Sequence, residues 1–512
     1  MVLRSNRQVS AFRGESLEAP LNLPAELTRF LDRRAPQALL VRGAPGTGKT
    51  LLAISLLKAF RGRGIYVSSR TRTAQLDFDY PDLGPMIEAG RLAVVDMVTG
   101  GSALRDASRA LGSAQNLVKE DTGESLRALL LPPEVLEAWS ESSPTAPTLV
   151  VLDSWDAIIE RYLGGAGRAD DAPLTREEVE RIAITQMAEA PVTLVFVVEH
   201  REAGQLEYLV NGIVSMERQT VDDRMERWLR IDKLRGTRIS HPSYPFSLEG
   251  GRLQCIEPLS TDSSTSGNPG DPAPEQHPGQ IWPGSTDYAS HFGWLGAGKL
   301  TLFEHDPDVP NAAIRLLLAP MMNQTVAQGG RVFHIPPPGM HATELWHMYE
   351  GRTSRKAFSE QVRIVSALPT GESDEFGSVI LPLPSGTMEG YNPRIPEAAK
   401  FLREGADLSH PNLGVLSIAG MRAVNSLVPN TYTEHTMPGL ALTYFHQSPL
   451  HAVIIGPEDD TLTQSVRTMA ATHLRLTCRE GRILIHGINP WTPWLVLSEQ
   501  AGDSPYRFLV VV

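Results

Sequence analysis

The stretch Gly43-Ala44-Pro45-Gly46-Thr47-Gly48-Lys49-Thr50 decides how the first half of the chain folds. An apolar segment of strand length, 38–41, precedes it, and an apolar segment of helix length, 51–60, follows it. A strand, a glycine loop and a helix are the context in which the pattern G-x-x-x-x-G-K-[ST] binds phosphate. The glycines let backbone N–H groups close around a β-phosphate, Lys49 reaches the β- and γ-oxygens, and the Thr50 hydroxyl ligates Mg²⁺. We therefore predict a nucleoside triphosphate site rather than a glycine turn with a surface lysine.

The composition is that of a soluble globular protein with two or three domains: 512 residues, of which 41% are apolar and 21% charged. A formal net charge of −12 restricts nucleic acid contact to a local basic patch and disfavours nucleic acid as a partner. The two cysteines, Cys255 and Cys478, predict neither a disulfide framework nor a zinc site, and they fit a reducing cytoplasm. Residues 1–7 do not read as an export signal, and no segment approaches the length of a membrane span.

An acid follows the next strongly apolar segment. Thr148-Leu149-Val150-Val151-Leu152-Asp153 reads as a buried strand, and an aspartate at the tip of such a strand holds Mg²⁺ and its waters in phosphate-loop proteins. An aspartate that caps the following helix would have the same pattern. Because the phosphate loop is present, we favour the metal role for Asp153, with Asp156 as the weaker candidate.

Further apolar runs at 64–69, 91–96 and 193–199, separated by helical stretches that include 100–140, predict a parallel sheet covered by helices on both faces. Beyond residue 201 the pattern becomes antiparallel. In an extended strand Lys233 and Arg235 project from one face and suit a phosphate clamp, although a solvated edge strand carries similar charges.

The run Lys233-Leu234-Arg235-Gly236-Thr237-Arg238, followed by Ser243-Tyr244-Pro245-Phe246-Ser247-Leu248, resembles the closing strands of the KaiC family of RecA-like ATPases. Together with the phosphate loop, the strand ending in Asp153 and the stretch 193–218, the resemblance covers most of 35–257. It implies a RecA-like α/β fold for residues 1–258. It also implies that Lys233, Leu234, Arg235 and Thr237 reach ATP bound by a neighbouring subunit, so that a homo-oligomer forms through a nucleotide-bridged interface.

The sequence departs from this family at the end of the second strand. Relatives carry a glutamate there that orients or deprotonates the attacking water, whereas this chain has Ser68-Ser69-Arg70. Asp77 and Asp79 lie further along and could substitute. We therefore predict slow ATP turnover, with Lys49 and Asp153 as the catalytic residues and Thr50 and Asp153 as the Mg²⁺ ligands.

Residues 259–286 are rich in Ser, Pro, Gly and Asp and predict a disordered linker. Beyond it, apolar segments at 298–304, 312–318, 330–335, 413–419, 451–456, 474–477 and 482–485 repeat the element order of the first half. The loop 304–311 has three acids, no glycine and no lysine, and would repel a triphosphate. We interpret 287–512 as a degenerate RecA-like domain without a phosphate loop, although any α/β domain could give this order.

Three functions fit the sequence. The first is a KaiC-like ATPase whose nucleotide controls oligomer assembly, with 287–512 regulating it or binding a protein partner. The second is an ATP-sensing regulator that resembles the GvpD-type regulators of gas-vesicle genes. A RadA-like recombination ATPase is the third, and the acidic charge balance disfavours it. A metal site at His334, His341 and His347 matches no familiar ligand spacing.

Overall fold

The computed structural model describes the chain in segments, namely 22–33, 35–70, 72–97, 142–143, 145–165, 175–187, 192–199, 204–259, 270–274, 280–336, 342–349, 353–366, 379–382, 400–401, 404, 415–420, 450–498 and 506–511. The helical prediction for 100–140 lies outside these residues, and so does His341.

Strands and helices alternate in the first part of the chain, as its apolar pattern predicts. The elements are α1 (Ala25–Leu31), β1 (Gln37–Arg42), α2 (Lys49–Ala59), β2 (Arg63–Ser68), α3 (Thr73–Asp79), α4 (Gly84–Glu88), β3 (Leu92–Asp96), β4 (Thr148–Asp153), α5 (Trp155–Gly165), α6 (Arg176–Met187), β5 (Val192–Val198), α7 (Leu206–Leu209), β6 (Gly212–Val221), β7 (Arg224–Leu234), β8 (Ser243–Ser247) and β9 (Gln254–Cys255).

The first sheet has nine strands among the described residues, in the order β3-β2-β4-β5-β1-β6-β7-β8-β9. β1 pairs in parallel with β5 and β6, and β4 pairs in parallel with β2 and β5. Strand β5 is buried along its whole length, which fits a sheet covered on both faces. Because these strands are parallel, the carboxyl ends of β1, β2, β4 and β5 meet at one edge, where the phosphate loop lies.

The second part of the chain has its own set of elements. They are β10 (Gln280–Ile281), α8 (Thr286–Phe292), β11 (Leu295–Gly296), β12 (Leu300–His305), α9 (Asn311–Ala327), β13 (Arg331–Ile335), α10 (Ala342–Tyr349), α11 (Arg355–Gln361), β14 (Val362–Ser366), β15 (Ile380–Pro382), β16 (Val415–Gly420), β17 (Leu450–Pro457), α12 (Thr461–Val466), β18 (Thr472–Arg479), β19 (Arg482–Asn489), β20 (Leu495–Ser498) and β21 (Arg507–Val510).

These strands form a ten-stranded sheet among the described residues, in the order β15-β14-β13-β16-β17-β12-β18-β19-β20-β21. The pairs from β15 to β18 are parallel, and the last three pairs are antiparallel. β12 lies between β17 and β18, as β1 lies between β5 and β6. The predicted fold class, two RecA-like α/β domains with parallel-dominant sheets and flanking helices, is confirmed.

Part of the predicted linker is packed. Ile281 and Trp282 are 7% and 2% exposed, and the Trp282 indole donates to the backbone oxygen of Asp271 at 2.8 Å. A Cβ on Gly284 would lie 2.4 Å from the backbone oxygen of Pro320, so Gly284 packs directly against α9. The linker prediction for 259–286 therefore extends too far at its carboxyl end. The stretch as a whole is rich in Ser, Pro and Gly, and this average composition does not reveal its two buried apolar side chains.

Contacts divide the chain into two compact units. The first comprises the described residues within Met1–Met216, Arg230–Pro242 and Gly250–Cys255, and the second those within Glu217–Leu229, Ser243–Glu249 and Ile256–Val512. Both cysteines are free, with Cys255 buried. Within the described residues, no helix has the length and apolar character needed to span a bilayer.

Candidate functional site

The phosphate loop joins the end of β1 to the start of α2. Gly46 and Gly48 have φ angles of 75° and 96°, in the left-handed region that favours glycine. Gly43 lies against a neighbouring backbone, since a Cβ there would be only 2.4 Å from the backbone oxygen of Met216. The glycines of the motif are thus required by the shape of the loop itself.

The Lys49 ammonium lies within the loop that precedes it. Its Nζ donates to the backbone oxygens of Gly43 at 2.7 Å and Ala44 at 2.9 Å, and the residue is 8% exposed. Burial lowers the pKa of Lys49, while the charges of Glu199 and Asp153 act in the opposite direction. A bound phosphate oxygen would replace the loop carbonyls as the acceptor of this ammonium.

The Asp153 carboxylate connects β4 to α2 and β2. Its Oδ2 accepts hydrogen bonds from the Thr50 hydroxyl at 2.8 Å and from the Tyr66 hydroxyl at 2.7 Å. Burial and the neighbouring carboxylate raise the pKa of Tyr66 well above its ordinary value, so the phenol remains a donor. A hydroxyl beside a carboxylate is a pair of oxygen ligands that suits Mg²⁺. Within the described residues, this carboxylate accepts from Thr50 and Tyr66 and not from the first turn of α5, so it does not act as that helix's cap.

Asp156, the weaker candidate for the metal, holds neighbouring backbone and side chains. Its Oδ1 accepts from Arg176 at 2.7 Å, and its Oδ2 accepts from the backbone N–H of Glu199 at 2.9 Å. Both carboxylate oxygens are therefore engaged, and the residue is 5% exposed. We assign Asp156 the role of fixing the chain that follows β5.

The end of β2 carries the hydroxyls of Ser68 and Ser69. Ser68 and Ser69 are each 2% exposed. The Ser69 hydroxyl accepts from the backbone N–H of Ser154 at 2.9 Å and donates to the backbone oxygen of Asp153 at 3.2 Å. Ser69 thus ties β2 to the end of β4. Of the two proposed substitutes, Asp79 ends α3, and the side chain of Asp77 lies outside the described residues.

An ion pair crosses the carboxyl edge of the sheet close to these residues. Arg70, just after β2, donates through Nη2 to Glu199 Oε2 at 3.1 Å and through Nη1 to Glu199 Oε1. Sequence reasoning missed this pair. The available signal was the position of Glu199, which directly follows a buried strand, as Asp153 does.

The predicted clamp residues gather around α7. Lys233 Nζ donates to the backbone oxygen of Glu207 at 2.9 Å, and Arg235 Nη2 to that of Tyr208 at 3.4 Å. β7 ends at Leu234, so Arg235 lies in a turn rather than on the strand face that the sequence predicts. The backbone N–H of Thr237 donates to the oxygen of Leu234 at 3.2 Å, which closes that turn. Among the described residues, neither cation donates to the phosphate loop of its own chain.

A partly exposed hydrogen-bond network joins the start of the phosphate loop to the start of the clamp. Arg42, which precedes Gly43, donates to Ser215 at 2.8 Å and Asp232 at 3.0 Å, and also pairs with Glu207. Burial alone would raise the pKa of Asp232, but hydrogen bonds from Ser215 and Arg230 outweigh it and the pKa is lowered. Asp232 precedes Lys233, so the network fixes the ends of β1 and β7 relative to each other.

The chain is similar to known proteins that share this P-loop. Residues 27–232 match the family model described as GvpD gas vesicle protein, P-loop domain. Protein GvpD2 of Halobacterium salinarum is 27% identical over 526 aligned positions, covering 96% of both chains. Residues 27–232 are thus similar to the GvpD P-loop domain. The circadian clock oscillator protein KaiC of Picosynechococcus is 26% identical over 225 residues, which cover 41% of this chain and 38% of KaiC.

The comparisons confirm the resemblance that the sequence predicts from the K-L-R-G-T run. A second Halobacterium salinarum relative, protein GvpD1, is 29% identical over 333 residues, or 63% of this chain and 58% of GvpD1. Similarity to GvpD2 therefore extends through both sheets, whereas similarity to KaiC covers less than half of the chain.

A buried carboxylate with charged partners lies on β12 of the second domain. Glu304, 1% exposed near the end of β12, accepts from Arg467 at 2.8 and 2.7 Å and from His473 at 2.9 Å. Burial opposes ionisation, but the hydrogen bonds from His473 and Arg467 prevail and lower the pKa of Glu304. Glu304 therefore lies on the strand, as the predicted segment 298–304 has it, although the predicted loop 304–311 also includes it. Its charge is compensated locally.

Proposed function

We propose that this protein is an ATP-dependent regulator whose P-loop domain binds ATP with Mg²⁺ and turns it over slowly. The observation that carries the proposal is the cluster of Lys49, Thr50 and Asp153 at the carboxyl edge of the first sheet. The Lys49 ammonium is held by loop carbonyls within 2.9 Å, and the Thr50 hydroxyl lies 2.8 Å from the Asp153 carboxylate.

The residues present fit both ATP and Mg²⁺. The glycine loop and the N-terminus of α2 suit the phosphates, with Gly43, Ala44, Pro45, Gly46, Thr47, Gly48, Lys49 and Thr50 as the binding residues. Thr50 and Asp153 would hold Mg²⁺, which supplies charge neutralisation at the β- and γ-phosphates when it is bound. Lys49 and Asp153 are the proposed catalytic residues, because each would act on the phosphate oxygens directly or through the ion.

We propose that nucleotide also controls assembly of the chain into a homo-oligomer. In this arrangement Lys233, Leu234, Arg235 and Thr237 meet ATP bound by a neighbouring copy. The support is that Lys233 and Arg235 hold backbone oxygens of α7 and, within the described residues, do not donate to their own phosphate loop. The Arg42 network gives these cations a fixed position relative to the loop.

The alternative role, an ATP sensor with little hydrolysis, gains support from the relation to GvpD2 over 96% of both chains. We propose that the chain acts in the same gas vesicle system and that residues 287–512 bind a protein partner. In the second domain the Glu304 charge is compensated by Arg467. We propose that this domain has no phosphate loop and serves as a scaffold for the partner. The proposed compartment is the cytoplasm, in agreement with two free cysteines.

Equilibrium binding of labelled ATP with Mg²⁺ tests the proposal. We expect Lys49→Ala to weaken ATP binding by about 10- to 100-fold, because one buried charge-assisted contact to phosphate is worth about 1.5–3 kcal/mol. Lys58→Ala is the matched control: Lys58 lies in the last turn of the same helix, where it pairs with Asp82 at 3.1 Å.

Equal ATP affinity of Lys49→Ala and the Lys58→Ala control would contradict the proposed site. A wild-type chain that retains no ATP with Mg²⁺ would contradict the proposed function as a whole.

A further inference from the structure

The Arg70–Glu199 pair spans the strand that carries the proposed metal ligand. Arg70 follows β2 and Glu199 follows β5, and these two strands flank β4, which ends in Asp153. The two hydrogen bonds of the pair, one of 3.1 Å, form the parallel fork in which a guanidinium binds a carboxylate. The pair therefore places a cation and an acid beside the phosphate loop, at the edge where the carboxyl ends of the strands meet.

The backbone of Glu199 is held firmly, whereas its side chain reaches solvent. Its N–H donates to Asp156 at 2.9 Å, and Asp156 is in turn held by Arg176 at 2.7 Å. The Glu199 side chain is 26% exposed and that of Arg70 is 55% exposed. An acid with a fixed backbone and an accessible carboxylate has the features of a group that positions a water molecule.

The charge of Glu199 acts on the pKa of the phosphate-loop lysine. Of the charges that act on the pKa of Lys49, that of Glu199 has the largest effect, followed by Asp153, and both oppose the lowering caused by burial. Arg70 acts in the opposite direction to Glu199.

We propose that Glu199 supplies the carboxylate that orients and deprotonates the attacking water, and that Arg70 holds it until ATP is bound. This inference rests on the proposed ATP site. It assigns to the end of β5 the role that Ser68 and Ser69 cannot fill at the end of β2, because a serine hydroxyl is no base at neutral pH.

The proposed reaction is hydrolysis with no redox change. The water oxygen bonds to the γ-phosphorus while the bond from that phosphorus to the bridging oxygen breaks, which leaves ADP. The water proton passes to the Glu199 carboxylate and then to the released phosphate. Arg70 exchanges its carboxylate partner for the γ-phosphate oxygens, which frees Glu199 and places positive charge where negative charge develops.

Single-turnover hydrolysis by the full chain, measured beside ATP affinity, tests this role. We expect Glu199→Gln to lower the hydrolysis rate by about 10²-fold or more, with ATP affinity within about 3-fold of wild type, because a general base acts on the reaction and not on binding. Glu199→Asp should recover part of the rate. The acid limb of the pH–rate profile should disappear in Glu199→Gln.

Asp82→Asn is the matched control, since Asp82 is an exposed acid in an ion pair with Lys58 at the far end of α2. It should hydrolyse ATP at the wild-type rate. If the Arg70–Glu199 pair only stabilises the fold, Glu199→Gln will lower the melting temperature yet keep its rate and pH profile, which overturns the inference. A wild-type chain that binds ATP but hydrolyses none would also overturn the inference about Glu199, while the proposed ATP binding would stand. Failure of the wild-type chain to bind ATP would overturn the proposed function.

Discussion

Asp153 shows what a local pattern specifies at a single residue. An acid at the end of an apolar strand, downstream of a phosphate loop, predicts proximity to Thr50, and the two side chains are hydrogen-bonded at 2.8 Å. Tyr66 donates to the same oxygen but belongs to no motif, because an aromatic residue in a buried strand is ordinarily a core residue. The sequence thus predicts one partner of Asp153, Thr50, and not the other, Tyr66.

Replacing Asp153 by asparagine removes the negative charge and keeps an oxygen for Thr50 and Tyr66. We expect the Mg²⁺ concentration needed for half-maximal ATP binding to rise at least about 10-fold above that of wild type. Groups that orient a metal and its waters contribute about 10- to 100-fold to metal affinity. ATP titrations over a series of Mg²⁺ concentrations measure this. Tyr66→Phe, the control, keeps the Asp153 charge and should raise the Mg²⁺ requirement less. An unchanged Mg²⁺ requirement in Asp153→Asn would show that Asp153 does not belong to the metal site.

Glu199 and Arg70 mark the limit of residue-level prediction. They lie 129 positions apart, and only the register of β2, β4 and β5 brings them together. A sequence motif relates residues that are close together in the chain, so it identifies Lys49 and Thr50. It does not identify a pair of residues that follow two different strands of a sheet. An acid immediately after a buried strand was the available hint.

The elements of the second domain show both the strength and the limit of local rules. Its strands follow the predicted order because short apolar runs separated by turn residues mark buried strands well. The predicted helix at 312–318 is in fact Asn311–Ala327, with Pro320 inside it. A proline within a helix costs about 3 kcal/mol, and burial of the residues around Pro320 against the sheet offsets that cost.

Three of the buried histidines on strands of the second domain have a lowered pKa. Burial lowers the pKa of His334 on β13 to about 3, and that of His451 on β17 and His486 on β19 to about 4. The unfolded chain takes up these protons near the ordinary histidine pKa of about 6.5, whereas the folded chain does not. Stability is therefore expected to fall progressively below that pH.

His334 offers the cleanest test, because neither ring nitrogen has a hydrogen-bond partner among the described residues. We expect His334→Leu to flatten the acid side of the stability profile by up to about 1.4 kcal/mol per pH unit between about pH 6 and pH 4, since it removes one proton taken up on unfolding. Urea unfolding followed at several pH values measures the slope. His347→Leu, at an exposed position on α10, is the control, and equal slopes for both variants would exclude a buried neutral His334.

At the scale of the molecule, the division into units differs from the division at residue 258 that the sequence suggests. β6 and β7 change unit within their length, and residues 217–229 belong to the second unit. Arg224 donates to the backbone oxygens of Thr492 at 2.7 Å and Gly487 at 2.8 Å, while Glu226 pairs with Arg479 at 2.7 Å. Composition marks where the chain is polar, but hydrogen bonds between residues more than 250 positions apart decide the units.

The proposed nucleotide-bridged assembly makes a prediction about mixtures of two variants. Lys49→Ala keeps the clamp and loses the phosphate loop, whereas Arg235→Ala keeps the loop and loses the clamp. Each alone should show no ATP-dependent increase in size.

In an equimolar mixture with ATP and Mg²⁺, the intact loop of one variant meets the intact clamp of the other at one interface, while the opposite interface lacks both. Because head-to-tail interfaces must repeat to close a ring, the mixture should form pairs and nothing larger. Mass photometry distinguishes these species, with Lys58→Ala as a control that assembles like wild type. A mixture that stays unassembled would place the clamp on its own chain's nucleotide. A wild-type size that does not change with ATP would exclude nucleotide-controlled assembly and favour the ATP sensor.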